Sequence, residues 1–222
     1  MATRKELVNE VLRRLREPEL GASSTIASST YATMVASFLN DVKQECEDAW
    51  GWGQLRETVE FDTVASTSLY SLPLTTVRTK LLSMWNTTQN SRMRHVTEDY
   101  FNRSTLVGTQ SDAGPIYYRD RGVNAATEYK QVELLATPDG VYTIKAEVVN
   151  PQKDLSTDDE KLTLSLGRQA MIYGAWGLCI SERGEDGGQL MDEISQKYGF
   201  HLQTAIALDR RSYPNEGDVE VV

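Results

Sequence analysis

The chain has 222 residues, 40% of them hydrophobic and 25% charged, an ordinary composition for a folded protein with a sizeable buried core. Its formal charge of -9 argues against a basic nucleic-acid-binding surface as the main function. With only two histidines and two cysteines, no zinc set of usual spacing can be assembled.

A first helix is predicted from Thr3 to about Glu17. Thr3 and Glu6 have the spacing of a capping box, Leu7, Val8, Val11, Leu12 and Leu15 form one apolar stripe, and Pro18 stops the run. A Ser/Thr/Ala-rich connection leads to a second helix from about Thr30 to Trp50. Its apolar face runs from Tyr31 through Val35, Leu39, Val42 and Cys46 to Trp50. Asp41, Lys43, Glu45, Glu47 and Asp48 are expected on its solvated face.

The period then changes from helical to alternating. Strands are predicted at Thr58–Thr63, Ser68–Leu72, Lys80–Asn86, Pro115–Arg119, Gln131–Ala136 and Val141–Val149, with His95 in a further extended piece and a short capped helix at Thr97–Phe101. In the last strand Tyr142, Ile144, Ala146 and Val148 should share a face. Thr137-Pro138-Asp139-Gly140 is a strong turn signal, so a hairpin is expected to join the strands on either side of it.

Pro151 closes the strand block. A helix is predicted from Leu164 to Arg183 whose centre, Ala170 to Ile180, is apolar all round. It is therefore either the centre of a bundle or a contact with a second subunit. Its small residues Gly174, Ala175 and Gly177 would let another backbone approach closely. Tyr173, Gly174, Trp176 and Gly177 are the candidate subunit interface. A last helix spans about Gln189 to Arg210, and residues 211–222, with Pro214, Gly217 and three acids, should be extended.

The fold expected from this order is α+β: a helical bundle made by the N- and C-terminal helices, residues 1–54 and 152–210, with an antiparallel β domain inserted at 55–151 and an extended tail at 211–222. Cys46 and Cys179 lie in apolar helical patterns, as buried reduced thiols would. Residues 1–10 lack the apolar stretch of a secretory signal, and the longest apolar run is shorter than the roughly 20 residues a membrane helix needs.

No motif of catalysis emerges. Gly51 and Gly53 follow a helix rather than a strand and lack the Lys-Ser/Thr of a phosphate loop, and no nucleophile elbow is present. His95 and His201 have no nucleophile arrangement beside them. Carboxylate pairs such as Glu45/Glu47 and Asp192/Glu193 read as solvated faces, although two carboxylates would suffice for glycoside hydrolysis. Trp85, Tyr117, Tyr118 and Tyr142 could stack on a sugar or pack within the strands. No catalytic residue, metal ligand or cofactor is expected.

Four pieces, taken in order, carry a resemblance: Phe38-Leu39-Asn40-Asp41 leading to Asp48-Ala49-Trp50-Gly51-Trp52; the strand Pro115-Ile116-Tyr117-Tyr118; the strand, turn and strand from Val132 to Ile144; and Asn150-Pro151 before the last two helices. Their order, from about Glu6 to Asp209, resembles the head-to-tail adaptors of short-tailed phages, the tail tubular protein A family. The resemblance implies a structural virion protein without enzymatic activity, made in the host cytoplasm and placed at the head–tail junction. It implies a ring, a dodecamer in the virion, between the portal protein and the tail nozzle and tail fibre proteins. Such a ring continues the DNA channel and passes DNA without specific binding, away from any membrane. On that reading Arg211, Tyr213, Pro214, Val219 and Val221 belong to a portal-docking tail, and Trp85, Tyr117, Tyr118 and Tyr142 mark the β-domain face toward tail proteins. The alternatives are a virion-associated peptidoglycan hydrolase and a sugar-binding tail module.

Overall fold

The computed structural model describes residues 1–107, 113–184 and 188–212. Its contacts divide the chain into two compact units, Met1–Leu55 with Gln152–Val222, and Arg56–Pro151. The architecture is α+β, with helices toward both ends and a β region inserted between them.

The helical unit contains α1 (Arg4–Arg14), α2 (Thr30–Asp48), α4 (Arg168–Glu182) and α5 (Gln189–Ser212); α3 (Glu98–Val107) lies in the β unit. Thr3 caps α1 in the full reciprocal box: its hydroxyl accepts from the Glu6 amide, and the Glu6 carboxylate accepts from the Thr3 amide at 2.9 Å. Leu7, Val8, Val11 and Leu12 are buried, as the stripe required. The centre of α4 is buried from Ala170 to Ile180 on most of its circumference. It packs on α1, α2 and α5 of its own chain.

The glycines of α4 are used within the chain. A Cβ on Gly174 would stand 2.5 Å from Cγ1 of Val42 on α2, and one on Gly177 would stand 3.2 Å from Cγ2 of Ile194 on α5. The close approach that glycine permits is therefore made by side chains of α2 and α5, while Gly174 and Gly177 also line a surface cleft between α2, α4 and α5.

The polar side of α2 also departs from expectation. Lys43 and Glu47 are buried, not solvated; they pair at 3.3 Å, and Lys43 donates to the carbonyl of Gln152 at 2.6 Å. Asn40 brackets Leu155, donating to its carbonyl at 3.2 Å and accepting from its amide at 3.0 Å. Gln44 donates to Asp154 at 2.8 Å. This side of α2 holds the returning chain, whose backbone groups have no helix or strand partner of their own.

The β unit is one seven-stranded sheet: β1 (Arg56–Asp62), β2 (Leu69–Ser71), β3 (Lys80–Asn86), β4 (Ser91–His95), β5 (Tyr117–Val123), β6 (Lys130–Leu135) and β7 (Thr143–Val149), in the order β1-β7-β3-β4-β5-β6-β2. All pairings are antiparallel except β4–β5, which is parallel and crosses over through α3. Strand β4 serves both halves: Ser91 to Met93 pair with β3, while Arg94 and His95 pair with β5. Val59, Met84, Met93, Val132, Leu134, Ile144, Ala146 and Val148 form the core of this unit.

The expected hairpin across Pro138–Gly140 does not form. Strand β6 pairs with β5 and β2, whereas β7 lies between β1 and β3. The turn residues instead hold the β1–β2 connection: the Pro138 carbonyl accepts from the Ser66 amide, and the Gly140 carbonyl accepts from the Thr63 hydroxyl, both at 2.9 Å. Turn chemistry encodes a change of direction, not the identity of the strand met afterwards.

Candidate interaction surfaces

On the helical unit, an aromatic and cationic cluster is assembled from three helices. The guanidinium of Arg14 on α1 lies 4.3 Å from the ring centre of Tyr173 and 5.8 Å from that of Trp176, both on α4. His201 of α5 stacks on Tyr173 at 5.0 Å, and Phe200 meets His201 edge-on at 5.5 Å. Glu10 holds Arg168 at 2.7 Å. Phe200 is 67% exposed, and Leu208 and Leu190 on the same helix are about half exposed. An exposed phenylalanine beside stacked rings and a fixed guanidinium has the composition of an interface centre. Of the expected interface residues, Tyr173 and Trp176 belong to this surface; Phe200 and Arg14 join it, and the sequence pattern did not single them out.

A second feature fixes where α5 ends. Asp209 is buried, and its carboxylate accepts from the Gly53 amide at 3.0 and 3.1 Å and from the Trp50 indole at 3.1 Å. Trp52 is fully buried and donates to the Cys46 carbonyl at 2.7 Å. The Trp50-Gly51-Trp52-Gly53 segment is thus a structural knot between the end of α2 and the end of α5. Arg211, expected in an extended tail, belongs to the last turn of α5. Tyr213, Pro214, Val219 and Val221 lie outside the described residues.

The four aromatics expected to mark the β domain toward tail proteins stand in different surroundings. Tyr118 is buried in the core with His95 edge-on at 5.4 Å, so it is unavailable to a partner. Tyr117 is half-buried against Tyr100 of α3, ring centres 5.7 Å apart. The Tyr142 hydroxyl donates to Asp139, which pushes the phenol's pKa up. Trp85 is exposed on β3.

Helix α3 is fastened by Arg119 of β5. This buried guanidinium donates to Glu98 at 2.7 Å, to Asn102 at 3.1 Å and to Glu133 at 2.7 and 2.9 Å, and lies 3.8 Å from the ring centre of Phe101. Such a fork fixes geometry because its donors are planar and rigid.

Cys46 and Cys179 are free and buried, and burial pushes their thiols up to about 12 and about 11. Burial likewise pushes Tyr198 up. These are inert thiols rather than nucleophiles. Among the described residues no group of three His, Cys, Asp or Glu side chains could hold a metal ion, and no helix is long and apolar enough to cross a membrane.

The profile of the SU10 adaptor protein family matches residues 2–217. The chain belongs to the SU10 adaptor protein family. The match spans both units, and the family is one of structural phage adaptors, which agrees with the resemblance read from the order of motifs. No curated protein matches the chain. Membership implies contact with other virion proteins.

Proposed function

We propose that this adaptor forms a ring at the head–tail junction, a dodecamer in the virion, between the portal protein and the tail nozzle and fibres. The observation that carries the reading is the family match across nearly the whole chain. A ring needs two different contact faces on each subunit. The first is the Phe200, Tyr173 and Trp176 surface with Arg14, which meets the neighbouring subunit. The second lies elsewhere on the helical unit. The segment after Ser212 docks on the portal, starting from Arg211 at the end of a helix that Asp209 holds in place. The β unit meets tail proteins through the Tyr100–Tyr117 pair and Tyr142. A net charge of -9 suits a channel that passes DNA without holding its phosphates.

Mixing the purified chain with portal rings and imaging the product by electron microscopy tests this reading. A ring of twelve copies capping the portal is the expected result. Portal rings that stay bare at saturating concentrations of the chain would overturn it.

A further inference from the structure

The outer face of β1, β7 and β3 carries a cleft of about 300 Å³ whose chemistry the adaptor role does not use. Trp85 stands in it near the end of β3, 43% exposed, although a ring of this size is ordinarily covered for most of its surface. Register places Lys145 and Glu147 of β7 beside it, opposite Trp85 and Ser83 respectively, with Glu60 and Thr58 of β1 in the next positions across. The β3–β4 hairpin loop closes one end with Asn90.

Three properties of this cleft point to one ligand class. First, the lining of the cleft carries one lysine and one glutamate: Lys145 pairs with Glu60 at 3.3 Å, and Glu147 accepts from Ser83 at 3.3 Å and lies 3.9 Å from Arg56, while Arg92 of β4, opposite Trp85, lines a separate cleft. Within that lining an anionic ligand would find no excess positive charge. Second, the rim offers both donors and acceptors: a lysine ammonium, an asparagine amide, a threonine hydroxyl and a glutamate carboxylate. Hydroxyl-rich ligands need both, because each hydroxyl donates once and accepts. Third, Trp85, Lys145 and Glu147 stand on paired strands, which hold them in place before anything binds. A flat aromatic floor with a neutral rim of mixed hydrogen-bonding groups fits the apolar face of a pyranose ring and its equatorial hydroxyls.

We infer that the Trp85 cleft is a binding site for a neutral carbohydrate, with one pyranose ring stacked on the Trp85 indole and its hydroxyls bonded to Lys145, Glu147 and Asn90. This goes beyond the adaptor reading and does not depend on it. The role is recognition, without bond cleavage.

The test is a titration of the ¹⁵N-labelled full chain with neutral gluco-, galacto-, manno- and chito-oligosaccharides and with an oligouronate, following the Trp85 indole resonance. A saturable shift with at least one neutral sugar is expected, weakened at least about tenfold in Glu147→Gln or Lys145→Met. Trp85→Ala should abolish binding of that sugar in calorimetry while the chain still unfolds in a cooperative thermal transition, since much of the side chain lies outside the core. An indole that no neutral sugar moves at tens of millimolar would overturn the inference. So would stronger binding of the oligouronate, or full affinity in Trp85→Ala.

Discussion

Replacing Gly174 by alanine should destabilise the helical unit, against the helical preference of the two residues. Alanine is favoured over glycine inside a helix by about 1 kcal/mol. Its Cβ, however, would sit 2.5 and 3.1 Å from the two γ carbons of Val42 and 3.3 Å from Cδ2 of Tyr198. Carbon pairs prefer about 3.5–4.0 Å, so α2 or α4 must shift by up to about 1 Å. Val42 is buried and β-branched, and in a helix its χ1 has one strongly preferred well, so it cannot swing aside. Overpacking of this kind costs about 1–3 kcal/mol, which leaves a net loss of up to about 2 kcal/mol after the propensity gain. At about 2–4 °C per kcal/mol for a chain of this size, the melting temperature should fall by several degrees. Val42→Ala removes both nearest atoms, so in the double variant the alanine at 174 should cost nothing further. Urea unfolding of the four proteins then gives a favourable coupling of about 1–2 kcal/mol. A Gly174→Ala chain at or above wild-type stability, or strictly additive variants, would show that α2 and α4 are not in this contact.

Asp209→Ala should cost about 1–3 kcal/mol, because the Gly53 amide and the Trp50 indole lose their acceptor; urea unfolding and faster hydrogen exchange at Gly53 would register it. Arg119→Ala should cost on the order of 3 kcal/mol and release α3 from the sheet, seen as lost amide protection between Glu98 and Thr105. Phe200→Asp should block self-association in sedimentation while leaving the melting temperature within about 1 °C, because an exposed side chain contributes little to the fold. Stability should decline as pH rises from about 9 toward about 12. The unfolded chain releases the Cys46 proton near the ordinary value of 9, while the folded chain retains it up to about 12, so protonation favours the folded form throughout that window. Cys46→Ala should remove that component of the decline.

Much of the fold was legible because periodicity reports burial directly. The capping box at Thr3 and Glu6, the strand Lys80–Asn86 and the inward set Ile144, Ala146 and Val148 all follow from local spacing. Partners were not legible. Nothing near Gly140 states that β7 will lie between β1 and β3, because strand pairing is settled by residues some eighty positions away. The polar side of α2 misled for the same reason. Lys43 and Glu47 look solvated until the chain at Gln152 returns to cover them. The glycines of α4 did announce a close approach, but not that Val42 and Ile194 of the same chain would make it. Phe200 escaped notice because one aromatic on the polar side of a helix has no periodicity of its own.

The anchoring of the β insertion has a mechanical consequence. The chain leaves the helical unit at Leu55 and re-enters it at Gln152, and each exit is tied within a few residues: Gly53 to Asp209 on one side, and Gln152, Asp154 and Leu155 to α2 on the other. The first exit is therefore held by α5 and the second by α2. Each end of the insertion is thus fastened to a helix within three residues of leaving or re-entering the bundle, so that neither exit relies on the peptide bond alone.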